Sequence, residues 1–138
     1  ADGYCRELSR SAQRFTAMTG RAMGAIFRAA GGKTSPALLR AAKQCGWTHV
    51  AWSDAGFLGD ELPSDKYPNK QLLARALASI RVGDVLLAHL GIWSRQDPWA
   101  PGVLEPLIQG LKAQQFCFAT LHDHPTLGSA SRTTAPAP

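Results

Sequence analysis

The feature that most constrains this chain is an alternation of period. Stretches with apolar residues at three- and four-residue steps give way, four times, to short runs of bulky or β-branched residues. The first helical stretch, 3–19, places Tyr4, Cys5, Leu8, Ala12, Phe15 and Met18 on one face, with Asp2 as N-cap and Gly20 as stop. A strand at 26–28 follows, then Gly31-Gly32. Ser35-Pro36 is an N-cap followed by proline at the first helical position, and that helix ends at Gly46. A strand covers 48–53. The next helix, 69–80, gathers Leu72, Leu73, Ala76, Leu77 and Ile80. Val85-Leu86-Leu87-Ala88-His89 reads as a strand, 102–114 as a helix and 116–121 as the last strand.

Helices alternating with strands predict an α/β fold with a parallel sheet and crossover helices. The strands at 85–89 and 116–121 are apolar on both faces, as strands covered on two sides are. The first helix has no strand before it. The expectation is therefore a partial barrel or larger sheet whose first strands are missing, spanning 1–124. The Pro-, Ala-, Ser- and Thr-rich end, 125–138, is expected to be disordered.

The 138 residues are 45% hydrophobic and 18% charged, with a formal net charge of +5. Arg6, Arg10, Arg14, Arg40, Lys43, Arg75 and Arg81 are scattered over polar helix faces, which reads as solvated surface and not as a nucleic-acid footprint. Cys5, Cys45 and Cys117 are odd in number and show no CxxC spacing, so buried thiols in a reducing compartment are expected. No window of apolar residues is long enough for a membrane span, and no signal peptide is visible, which points to the cytoplasm. The chain starts without methionine, as a processed or truncated product does.

Chemistry is sought at strand ends, where parallel sheets place it. His89 closes the buried 85–89 run and opens a long aromatic loop, a position suited to proton transfer near neutral pH. Arg28 precedes a glycine turn and can hold a carboxylate bidentately. Gly31-Gly32-Lys33-Thr34 imitates a phosphate loop, but Phe27 stands where that motif needs its first glycine. His122-x-His124 offers half a metal site without a third ligand in register, and His49 reads as a strand histidine in the core or at the surface. Trp47 and Trp52 belong at or in a strand. Trp93 and Trp99 lie in the loop after His89, where flat indoles stack on sugar rings.

With Arg28, Gly31-Gly32, Trp52-Ser53 and Leu87-Ala88-His89 in this order, the chain resembles the C-terminal part of the polysaccharide deacetylases, carbohydrate esterase family four, also called the NodB-homology domain. The resemblance runs from Tyr4 to Leu121. It takes in Thr19-Gly20-Arg21, Phe27-Arg28, Leu38-Leu39, Cys45-Gly46-Trp47 and Gly83-Asp84-Val85-Leu86. It implies a distorted (β/α) barrel and metal-dependent hydrolysis of acetyl groups on amino sugars or related C–N bonds. Arg28 matches the arginine that orients the catalytic aspartate, although Ala29-Ala30 replace the usual proline. Asp54, the nearest carboxylate after Trp52, falls in a poorly kept acidic-tryptophan motif. Leu87 matches the wall of the acetyl-methyl pocket and His89 the general acid.

The Asp-Asp and His-x-x-x-His motifs that complete the family's zinc-type divalent metal site have no counterpart here. The resemblance thus implies a fragment that binds no metal alone and is inactive alone. Its partner is an acetylated carbohydrate or related small molecule, with no nucleic acid and no membrane, and either an oligomer or a missing N-terminal half. The alternative is a non-catalytic module that binds carbohydrate or a partner through the Trp93/Trp99 loop.

Overall fold

The computed structural model describes residues 2–90, 92, 95–100 and 102–135. In chain order the elements are α1 (Asp2–Thr19), β1 (Ile26–Phe27), a 3-10 turn (Ala30–Gly32), α2 (Pro36–Gln44), β2 (Thr48–His49), α3 (Asn69–Ser79), α4 (Leu104–Ala113), a second 3-10 turn (Leu121–Asp123) and α5 (Gly128–Arg132). The chain divides into two compact units. The first comprises 1–51 and 119–138, the second 52–118.

The first unit is built around a strand–helix–strand arrangement. β1 and β2 pair in parallel, Ile26 beside Thr48 and Phe27 beside His49. Gly31 and Gly32 adopt left-handed φ of 60° and 66°, so the glycine pair makes a tight strand-to-helix turn. Ser35 caps α2 by accepting a hydrogen bond from the Leu38 N–H at 3.2 Å, with Pro36 at the first position. Gly46, at φ 77°, ends it. Its N–H donates to the Lys43 carbonyl and that of Trp47 to the Ala42 carbonyl, the paired bonds of a Schellman cap. Ala12, Ala42 and Trp47 form the core, with Tyr4, Leu8, Met23 and Phe27 packed against it.

Two expectations about this unit are corrected. Cys5 and Cys45 are not buried free thiols: they form a disulfide with Cα atoms 5.7 Å apart. Cys5 lies on the inward face of α1 and Cys45 caps α2, so helix packing brings together residues 40 apart in sequence. Cys117, in the second unit, is free and exposed. The C-terminal segment is also not disordered as far as residue 135. The Ala25 N–H donates to the Thr133 carbonyl and the Ala135 N–H to the Met23 carbonyl, each at 2.8 Å, and Ser131 is fully buried. Gly24, just before β1, permits this close approach. A Cβ on Gly24 would come within 2.4 Å of the Ser131 carbonyl oxygen.

In the second unit α3 and α4 pack around Leu58, Leu72, Ala76, Ile80, Trp99, Val103, Leu107 and Leu111. Of the expected strand at 85–89 only a parallel bridge between Leu87 and Phe57 forms, because the facing segment is an irregular loop. No strand forms at 116–121 among the described residues. Phe116 instead completes the cap of α4, its N–H donating to the Leu111 carbonyl while Gln115 donates to Lys112. Gln115 occupies the left-handed position, at φ 67°, that glycine fills in α2.

The disulfide closes a 40-residue separation and is expected to contribute about 4 kcal/mol by loop-closure entropy. Cys5→Ser should lower unfolding stability by roughly 2–4 kcal/mol in urea titrations, and a reducing agent should destabilise the parent but not the variant. Gln115→Gly should stabilise by roughly 0.5–1 kcal/mol, since glycine carries no left-handed penalty.

Candidate functional site

The chemistry of the second unit gathers where the loop after Phe57 runs beside the segment that ends in His89. Two backbone bonds hold these segments together: Ser53 N–H to the Val85 carbonyl at 3.1 Å, and Leu87 N–H to the Gly56 carbonyl at 3.0 Å. Gly56 is required there, because a Cβ would lie 2.0 Å from the Val85 carbonyl oxygen. The register delivers His89 to Asp60. One Asp60 oxygen accepts the His89 backbone N–H at 2.5 Å and the other lies 3.1 Å from Nδ1. Asp60 is 1% exposed, a buried carboxylate that needs these partners.

The double contact fixes both the backbone and the ring of His89. A carboxylate at Nδ1 selects the tautomer with its proton there and turns Nε2 outward. Nε2 lies 3.6 Å from a Glu61 oxygen, and the His89 and Glu61 side chains are 33% and 47% exposed. The arrangement is a partly accessible imidazole with a buried carboxylate behind it and an exposed one in front. It can take or give a proton at Nε2.

Arg95 anchors the loop that carries Asp60 and Glu61. Its side chain is 1% exposed. Nη1 donates to the Leu62 carbonyl, and Nη2 to the Tyr67 carbonyl at 3.1 Å, Asn69 Oδ1 at 2.9 Å and Asp97 Oδ1 at 2.9 Å. The other Asp97 oxygen accepts the Asn69 N–H at 3.2 Å, capping α3 from 28 residues away. A hydrogen bond from Ser64 is the main cause that holds the Asp97 carboxyl below its usual pKa, with the Asn69 N–H and the Arg95 cation adding to it against burial.

The other sequence candidates fall elsewhere. Asp54 is exposed, and it is Asp60, six residues on, that meets His89. Leu87 is buried beside Phe57. Trp52 is half-buried with its ring 6.3 Å from that of Phe57. Trp99 is not a stacking platform: it is 2% exposed within the core, because the loop turns it inward onto α3 and α4. Trp93 lies outside the described residues. Arg28 is exposed and belongs to the first unit, where burial and then this arginine's charge hold His49 below its ordinary pKa. His122 and His124 turn to local hydrogen bonds: Nδ1 of His124 accepts the Thr126 and Leu127 N–H groups at 3.2 Å. A shallow groove of about 720 Å³ along α4, lined by Ile108, Lys112, Phe116, Cys117 and Phe118, includes neither Asp60 nor His89.

Asp60, Glu61 and Arg95 escaped the sequence reading. The one local signal was Gly59, whose φ of 75° turns the chain immediately before Asp60. Among the described residues no group of three His, Cys, Asp or Glu could hold a metal ion. Carboxylates face both ring nitrogens of His89, Asp60 at 3.1 Å and Glu61 at 3.6 Å. Among the described residues no helix is long and apolar enough to cross a membrane. No family model, no curated protein and no solved structure matches the chain.

Asp60→Ala would leave the His89 N–H and Nδ1 without their acceptor. It should cost about 1–3 kcal/mol in chemical denaturation, and a change below about 0.5 kcal/mol would show that the pairing is not formed in solution.

Proposed function

We propose that this chain is the proton-transfer part of a deacetylase-type hydrolase acting on acetylated amino sugars. The observation that carries the reading is the Asp60–His89 pair, a buried carboxylate 3.1 Å from Nδ1 of a partly exposed imidazole. In amide hydrolysis water adds to the acetyl carbon, and the C–N bond then breaks as the departing nitrogen gains a proton. His89 Nε2 is the donor of that proton, and Asp60 holds the ring and balances the imidazolium before transfer. In this reading the carboxylate that serves His89 is Asp60 and not Asp54. Glu61, on the open side of the ring, orders the water or substrate hydroxyl that approaches Nε2. Leu87 keeps the role that the family resemblance implies.

A divalent metal is not given a part, because the described residues supply no ligand set for one. The chain alone is accordingly read as inactive or nearly so. For the compartment, the Cys5–Cys45 bridge favours an oxidising milieu over the cytoplasm expected from sequence.

The test is a titration of isotope-labelled chain with an acetylated chitooligosaccharide, followed through the imidazole resonances of His89. Acetylated oligosaccharide should shift the His89 signals, the fully deacetylated oligomer should not, and Asp60→Asn should weaken the response severalfold. Unmoved His89 resonances at millimolar sugar would overturn the proposal.

A further inference from the structure

The net charge of +5 is not spread over the molecule. The first unit holds nine of the fifteen Lys and Arg residues and three of the ten Asp and Glu residues; the second holds six and seven. The first unit therefore carries +6 and the second −1, with histidines neutral. All nine cations of the first unit are exposed.

Three of them form a line. Arg6, Arg10 and Arg14 recur every four residues along α1, about 6 Å apart along its axis. At 100° per residue they span an arc of about 80°, centred almost opposite the arc that α1 turns inward. That inward arc holds Tyr4, Cys5, Leu8, Ser9 and Ala12, where Ser9 and Ala12 are buried and the Cys5–Cys45 disulfide fastens the helix. Packing and crosslink thus fix which side of α1 faces outward, and the outward side is the arginine side. One acidic residue meets the line: Glu7, 3.3 Å from Arg10, in a pair whose side chains are 74% and 64% exposed. A pair so open to water neutralises little. Gly3 and Ala17 share the arginine arc and Gln13 borders it. None of them is aromatic, so this arc lacks the aromatic platforms on which single-stranded bases stack.

We propose that the outer face of α1 is a docking surface for a carboxylate-bearing polysaccharide. Guanidinium groups grip carboxylates bidentately, and a row of them at regular spacing complements a polymer with a charge on each repeat. The choice of a glycan over other polyanions rests on the reading of His89 as a site for acetylated sugars. The attraction itself rests only on the charge and geometry of α1.

The experiment measures binding of the whole chain to polygalacturonate, with neutral dextran and a mixed-sequence single-stranded DNA as comparators. Polygalacturonate should bind, dextran should not, and affinity should fall roughly tenfold between 50 and 200 mM salt. R6E/R10E/R14E should abolish binding, and R6Q/R10Q/R14Q should weaken it about tenfold or more. K33E/R40E/K43E, with the same charge change elsewhere on the first unit, should weaken it no more than threefold. Circular dichroism of each variant confirms that the outward substitutions leave the fold intact. Equal losses in the two charge-reversed triples would overturn the docking line in favour of net charge alone. Tighter binding of DNA than of polygalacturonate would overturn the glycan assignment. The titration of His89 with neutral chitooligosaccharide is independent of these arginines, so failure of docking and failure of the proton-transfer reading are told apart.

Discussion

The buried Arg95 guanidinium is the constraint on which the second unit depends. A cation with a 1% exposed side chain is tolerable only if every donor has a partner, and here the partners are backbone carbonyls and side chains from 62, 67, 69 and 97. Those partners belong to a loop with no regular ladder of its own. Arg95 supplies the missing order from one point. It ties the far end of the Asp60 loop to the start of α3, while Asp97 supplies the cap that Pro68 cannot.

The Asp60–His89 pair inherits that order. Asp60 is held at one end by the Gly59 turn and at the other by the segment fastened to Arg95. His89 arrives on the segment that bridges Phe57 through Leu87. Neither residue sits on a long strand. The pair is held by close backbone approach at Gly56 and by the two-point grip of one carboxylate. The first unit uses covalent chemistry where the second uses a buried charge: its small core is supported by the Cys5–Cys45 bridge.

Several elements were legible in the residues because their causes are local. Ser35-Pro36 and Gly46 bound α2 through caps that involve neighbours three or four positions away. The apolar spacing of 69–80 located α3, and the parallel relation of the runs at 26–28 and 48–53 followed from the helix between them. The runs at 85–89 and 116–121 are as apolar as strands, yet a strand exists only where a neighbour offers a ladder. One found a single bridge and the other became the cap of a helix. Composition likewise misled at the C-terminus, where small residues that cannot form a core alone serve to let backbones meet.

The sequence by itself determined α1 to α4, the caps of α2, the parallel pairing of two short strands and the interest of His89 at the end of an apolar run. Only the tertiary structure decided that Asp60 and not Asp54 stands behind that histidine, that Cys5 finds Cys45, that Trp99 is core and that Arg95 is buried. It also decided which side of α1 faces outward, and so made a line of three scattered arginines. The physical reason is range. Caps and periodicity act over one or two turns of chain, whereas a buried carboxylate, a disulfide and most bonds of a buried guanidinium join partners 26 to 40 residues apart, which nothing in the local pattern specifies.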